Sequence, residues 1–500
     1  MTQPASPDSN YLVVSDLHLQ EADLNPAGRL YYFDQEFTDF LRYYRQCYEG
    51  KRRWRLIIAG DFIEFYLKVY EQPNPDDRLL RGATLTQTDL KYVLGTEWQK
   101  SVWKLDRIVR SHQLLFIALA RFILEGHEVY ILRGNHDLEF FWPEVQTHFR
   151  LLLALFHPVE SSYLEMKKVA EERIHFFPWF YLEKDLLFVE HGHQYDAYCS
   201  NTHNLYPVLP QNHQVLELAL SAFVLRYFHA RIKHVEPAAM ETINSIPKSF
   251  WHLIRHNRNQ LIHIPLNLLV MIGRTLDKVR RVQPGLDAPL QEMETKIRED
   301  IKATFGLSDR PLQIIERLAH SPVLLSRWET IKCFSLDLVI AGMATLLIGI
   351  GLSLTASTVM WRWAPVVISC LVVLALSFLG KTRLAACNDH RNLRDIACSI
   401  RNTFGCRFVV FGHSHDPDVY ALSASKDQWY FNVGTWAPRS KAGQFVYLEI
   451  INNPISPSAH LMRWDRTREE PLELDLASYV KGSAERKAML AGERSGVRSS

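Results

Sequence analysis

Residues 129–137 read VYILRGNHD. Val129–Leu132 is a short apolar run rich in β-branched and aromatic side chains, the pattern of a buried strand. It stops abruptly at Arg133-Gly134-Asn135-His136-Asp137, which sets amide, imidazole and carboxylate groups side by side. The same junction recurs four times. YLVV runs into Ser15-Asp16-Leu17-His18, RLIIA into Gly60-Asp61, LLFVE into His191-Gly192-His193, and FVVF into Gly412-His413-Ser414-His415. Open α/β sheets carry their sites at the carboxyl ends of strands. Five such ends, far apart in the chain, can therefore meet at one point.

The strands expected from apolar runs are Tyr11–Ser15, Arg55–Ala59, Val129–Leu132, Leu186–Glu190, Phe408–Phe411, Trp429–Val433 and Phe445–Ile450. Helical patterns lie between the early ones, at Phe33–Tyr48 and Glu97–Leu124, the second stopped by Gly126. Strands alternating with helices indicate layered α/β architecture.

A single DxH or GHxH is weak evidence; five clusters in this order are not. The series DxH, GD, GNHD, a lone His and GHxH resembles the signature of calcineurin-like metallophosphoesterases over roughly residues 1–200 and 405–450. The fold this resemblance implies is a four-layer α/β/β/α sandwich of two mixed sheets with helices outside. It also implies two divalent ions. Asp16, His18, Asp61 and His415 would hold the first; Asp61, Asn135, His191 and His413 would hold the second, with Asp61 shared. His136 would be the general acid, and Asp137 would orient it. The donor types suit Mn²⁺ first, with Zn²⁺ or Fe²⁺ as alternatives, and two such ions can clamp a phosphoryl group and activate a water. His193 is left out of the ligand set. Glu64, in GDFIE, and Asp196 are open between a supporting carboxylate and a partner for a nearby cation. Asn432 and Gly434 read as structural.

Composition narrows the class. Apolar residues make up 47% and charged residues 22%, which fits a folded chain. A net charge of +2 gives no overall pull toward polyanions. The seven cysteines are scattered without a CxxC pair, which fits a reducing compartment rather than a disulfide framework. The N-terminal MTQPASPDSN has neither a basic nor an apolar segment of the kind a signal peptide needs.

From about 201 to 400 the strand signals stop and helical patterns take over, as expected of an insertion between two halves of the catalytic domain. The division expected is 1–200 and 405–470 for the two halves, 201–335 for a helical cap, 336–380 for a membrane hairpin, 381–404 for a helical return and 471–500 for a frayed tail. Residues 248–281 carry seven Lys or Arg against one acid, Asp277, with apolar residues interleaved. Such a helix can lie on an anionic bilayer or pack on its own domain. Leu336–Ala356 and Ala364–Gly380 are two apolar runs near the roughly 20 residues a span needs, with Trp361, Arg362 and Trp363 between them. Arg327, Lys332, Lys381, Arg383, Arg391 and Arg394 flank the pair, so an integral protein with two spans and a cytoplasmic catalytic domain is expected. The alternative is a buried helical hairpin in a large soluble core. Small residues such as Gly342 and Gly349 suit close helix contact, including contact between two copies in a homo-oligomer.

The expected activity is hydrolysis of a phosphodiester or pyrophosphate bond in a membrane-associated, lipid-linked substrate, with the lipid bilayer as partner. The cap placement is similar to that of UDP-2,3-diacylglucosamine pyrophosphatases, although those typically show GNRD where this chain has GNHD. The alternatives are a membrane-anchored phosphomonoesterase or phosphoprotein phosphatase and, in another class, a non-catalytic membrane scaffold. Nucleic acid is disfavoured because the basic stretch is apolar-rich.

Overall fold

The computed structural model describes residues 9–21, 33–47, 52–67, 73–227, 270, 272–275, 288–333, 336–355, 365–372, 375, 390–425, 427–437 and 444–474. Its strands are β1 (Ser9–Val14), β2 (Arg53–Ala59), β3 (Glu128–Leu132), β4 (Ile174–Phe177), β5 (Phe180–Glu183), β6 (Leu187–Glu190), β7 (Val208–Leu209), β8 (Asn212–Leu216), β9 (Phe408–Phe411), β10 (Asp418–Ala421), β11 (Trp429–Asn432), β12 (Val446–Ile451), β13 (Ser458–Asp465) and β14 (Glu470–Glu473). One sheet runs β14-β13-β12-β1-β2-β3-β4, the other β10-β11-β9-β6-β5, and β7 with β8 forms a separate hairpin. β1 to β4 are mutually parallel, as are β6, β9 and β11.

The central strands β1, β2, β3, β6 and β9 are buried on both faces, which is why they read as continuous apolar runs. Tyr11 and Val13 of β1, Ile57 of β2 and Tyr130 of β3 meet Leu187 and Val189 of β6 and Val410 of β9 between the two sheets. Their neighbours Leu12, Val14, Leu56, Ile58 and Ile131 point the other way, onto Phe37, Phe40, Leu105, Leu119 and Phe149 of the outer helices. On the far side, Phe188, Val409 and Phe411 pack on Ile301, Leu312, Ile315, Ile396 and Ile400. The layers are therefore helices, sheet, sheet, helices.

The helices that cover the second sheet are Ala288–Phe305, Asp309–Leu318 and His390–Phe404. They come from the region expected to be cap and helical return, so these parts of it form an outer layer of the sandwich. Arg394 fastens it with two bonds to the Asp418 carboxylate, 2.8 and 2.7 Å. Of this region, the helix Leu220–Tyr227 stands beside the strand ends. The stretch 97–124, expected as one helix, is two, Trp98–Ser111 and Gln113–Leu124. His112 makes the break; its ring nitrogens engage Asp34 and the Gln20 carbonyl, each at 2.7 Å.

The two-span membrane hairpin at 336–380 is not supported. Among the described residues, no helix is long and apolar enough to cross a membrane. The helix Leu336–Thr355 is present, but of the second run only 365–372 and 375 are described. These two helices do pack together. Ser369 Oγ donates to the Thr345 carbonyl at 3.0 Å, and a Cβ on Gly349 would fall 2.2 Å from that same Oγ. The basic segment 248–281 lies outside the described residues except 270 and 272–275, as does the tail beyond 474.

Candidate metal centre

Register brings the clusters together. Val14 pairs with Ile58 and Ala59 with Leu132, so β1, β2 and β3 release Asp16, Asp61 and Asn135 at adjacent points of one edge. In the second sheet Glu190 pairs with Phe411, which sets His191 beside Gly412. Backbone bonds tie these loops. Asp16 N donates to Gly60 O, His18 N to Asp61 O, and Gly412 N to His191 O. His136 N donates to Asp61 Oδ1 at 2.8 Å and His413 N to Asp16 Oδ2 at 3.0 Å.

The turns are costly. Asp16, His18, Asp61, His413 and His415 all have positive φ, between 48° and 64°. Each such non-glycine residue stores on the order of 1–3 kcal/mol, and strain of this kind concentrates at functional sites. Two glycines make the packing possible. A Cβ on Gly134 would fall 2.1 Å from Asp61 Oδ1, and one on Gly412 would fall 1.9 Å from Ser15 Oγ and 2.7 Å from Asp16 Oδ2.

Four groups of donors result. Asp16, His18 and His415 form one and Asp16, Asp61 and His191 a second, all five residues buried. His18 Nε2 and His415 Nε2 face each other at 3.3 Å, the separation expected of two nitrogens about 2.0–2.1 Å from a shared tetrahedral ion. Asp16 Oδ1 is buried and faces both rings, His415 Nε2 at 2.9 Å and His18 Nε2 at 3.7 Å. His191 Nε2 lies 3.2 Å from Asp61 Oδ2 and 3.1 Å from Asn135 Oδ1. Its Nδ1 donates to the Ala59 carbonyl at 2.8 Å, which fixes the ring and leaves Nε2 for a ligand. Buried carboxylates and imidazole nitrogens converging at these separations fit a divalent cation.

The electrostatics agree. Burial alone would raise the Asp16 carboxyl, yet His415, His18 and His191 hold it well below the usual range. Asp61 is depressed in the same way by His191 and His136. Burial would lower His191, but Asp61 and Asp16 lift it to about 9. His193 is different. Its ring lies 5.3 Å from that of His191, but it joins none of the four groups.

The third group is His18, Glu64 and His136, and it corrects the expected partner of His136. Asp137 does not orient that ring. Its oxygens accept from the Phe62 and Gly134 N–H groups at 2.8 and 2.7 Å, which makes it a brace for the loops. Glu64 Oε2 lies 2.5 Å from His136 Nδ1 and 3.3 Å from His18 Nδ1. The GDxxE spacing was the signal for this role. The fourth group is Asp196, Cys199 and His413, with His413 Nε2 3.3 Å from Asp196 Oδ2. Cys199 had no sequence signal at all. Asn432 acts structurally, donating to the Gly412 carbonyl at 2.7 Å.

Asp61, Asn135, His136, His413 and His415 line a cavity of about 40 Å³, together with Tyr198, Cys199, Ser221, Val224 and Leu225. It has room for a few waters and not for an acyl chain. Residues 9–243 match the family described as calcineurin-like phosphoesterase. The chain carries a calcineurin-like phosphoesterase domain. It is a metal-dependent phosphoesterase, and the buried Asp, His and Asn donors at its strand ends are candidate ligands for the two divalent metals this family binds. No curated protein matches the chain.

Proposed function

We propose that the phosphoesterase cleaves a phosphodiester or pyrophosphate bond in a lipid-linked molecule at a membrane surface. In this reading Asp16, His18, Asp61 and His415 hold one ion, and Asp61, Asn135, His191 and His413 hold the other. Ions bound there supply positive charge to the phosphoryl oxygens and lower the pKa of a water. Asn135 and His136 add hydrogen-bond donors toward the phosphoryl group, and His136, held by Glu64, gives its proton to the leaving oxygen.

The observation that carries the reading is the helix Leu220–Tyr227. It sets Val224 and Leu225 against the donor cluster, and its Leu220, Phe223 and Tyr227 continue into an apolar cluster with Tyr92 and Leu324. An apolar wall beside a phosphoryl site suits a leaving group with hydrocarbon attached. Met343, Leu347, Ile348, Leu354, Ile368 and Leu371 are exposed on the paired helices at 336–355 and 365–372, which supports contact with a bilayer surface. The small cavity favours a second reading, a phosphomonoesterase with a compact substrate.

Rates for Mn²⁺-loaded protein on p-nitrophenyl phosphate, its bis ester and a nucleotide-diphosphate lipid in mixed micelles separate the two. The lipid is expected to give the highest kcat/KM. A higher value for the soluble monoester would overturn the first reading. In vesicle flotation, full-length protein is expected to float and a Leu347→Glu/Leu371→Glu variant to sink; wild type that stays at the bottom removes the membrane partner.

A further inference from the structure

Asp196, Cys199 and His413 form the one donor group of the four that contains sulfur. Their ligand atoms all lie within 4.8 Å of one another. Ligands around a tetrahedral zinc ion stand roughly 3.3–3.6 Å apart, given bonds of about 2.0–2.3 Å, so closure requires a shift of about an ångström. Two of the three already touch, His413 Nε2 and Asp196 Oδ2 at 3.3 Å. The other Asp196 oxygen is fixed by the Tyr198 N–H at 2.9 Å, and the Cys199 N–H donates to the Asp196 carbonyl at 3.0 Å. That turn points the thiol inward. Cys199 is 6% exposed and borders the same cavity as Asp61, Asn135 and His413.

Ligand chemistry separates this group from its neighbours. The other three offer only oxygen and nitrogen, which suit hard or borderline ions, whereas a thiolate selects soft ones. His413 belongs to both sets, since the proposed second ion also draws on it. We propose that Asp196, Cys199 and His413 are a separate site for a thiophilic divalent cation, Cd²⁺ above all, and that its filling withdraws His413 from the second catalytic ion. Binding forms a metal–sulfur bond and releases the Cys199 thiol proton to solvent. Excess soft metal thereby inhibits an enzyme that a harder metal activates.

The site rests on the two-ion reading for its effect but not for its existence, and the test keeps these apart. Full-length protein is stripped with a chelator, reloaded with Mn²⁺ and titrated with Cd²⁺ while sulfur-to-cadmium charge transfer is followed in the ultraviolet. Wild type is expected to show a thiolate–cadmium band and to lose one bound Mn²⁺ as the band grows. Cys199→Ser is expected to lose that band and keep its Mn²⁺. Cys199→Ala serves if the serine variant does not fold. A band of equal intensity and affinity in both Cys199 variants would overturn the site. Failure of wild type to take up Mn²⁺ at all would refute the two-ion reading, and the cadmium band would still decide this site.

Discussion

Glu64 Oε2 stands 2.5 Å from His136 Nδ1, so the imidazole proposed as proton donor is gripped from behind by a carboxylate that is 3% exposed. Burial would push His136 down, but Glu64 and Asp61 hold it up at about 9. Replacing Glu64 by Gln removes the nearer of these charges and lowers the His136 pKa. The alkaline limb of the kcat profile is therefore expected to move to lower pH. kcat itself is expected to fall by about ten- to a hundredfold, less than the roughly 10²–10⁴ for losing a general acid outright in His136→Ala. Elemental analysis should show Mn²⁺ retained in His136→Ala. An unmoved alkaline limb in Glu64→Gln would contradict the pairing.

Gly134 and Gly412 are placed where a methyl group has no room. A Cβ at Gly134 would overlap Asp61 Oδ1 at 2.1 Å and its backbone nitrogen at 2.6 Å. Backbone and a buried carboxylate cannot swing aside as a surface side chain can, so Gly134→Ala must displace Asp61. Loss of tightly bound metal is expected, measured as ions per chain after desalting, together with activity below a hundredth of wild type. Full metal content in this variant would show that Asp61 is not a shared ligand.

Much of this arrangement was legible because apolar strands are buried on both faces and end at polar clusters. The runs at Val129–Leu132 and Phe408–Phe411 needed no tertiary information. What was not legible followed from contacts between distant segments. β13 (Ser458–Asp465) alternates weakly, and its pairing with β12 makes it a strand. The break at His112 depends on Asp34 and Gln20, 78 and 92 residues away. The resemblance implies Asp137 as the partner of His136, and GDFIE leaves Glu64 open; the turn aims Asp137 at the backbone amides of Phe62 and Gly134, and Glu64 meets the ring. The insertion reads as a helical cap because helical patterns replace strand signals there; that the apolar faces of Ala288–Phe305, Asp309–Leu318 and His390–Phe404 cover a second sheet is a property of packing, not of local pattern.

Lys104 and Glu139 form an ion pair at 2.9 Å with both side chains fully buried. Lys104 also donates to the Phe65 carbonyl at 3.1 Å, and Phe65 N in turn donates to His136 O. The pair thus ties the helix Trp98–Ser111 to the loops that carry the proposed acid. Removing one partner leaves a buried charge alone, which costs about 3–5 kcal/mol. Lys104→Met is expected to lower the unfolding free energy from urea titration by that amount, and Lys104→Met/Glu139→Leu to recover part of it. A double variant as unstable as the sum of its two single variants would show that the pair is not coupled.

His127 supplies a pH dependence remote from the metals. It is fully buried, stacked on Phe122 with ring centroids 4.4 Å apart, and its Nδ1 accepts from Trp54 N–H at 3.1 Å. Burial, reinforced by Arg53 and Arg173, lowers its pKa from 6.5 to about 4. Between those values the unfolded chain binds the proton and the folded chain does not. Stability from this residue is therefore whole above pH 6.5, falls as pH falls, and is fully lost below about 4. The loss amounts to about 3 kcal/mol at 1.36 kcal/mol per pKa unit. In His127→Gln, whose side-chain oxygen can still accept from Trp54, that increment is absent. Unfolding free energies at pH 7 and pH 4 for the two proteins isolate it, since every other titrating group is shared. Equal differences in both would place the pH sensitivity elsewhere, among the carboxylates.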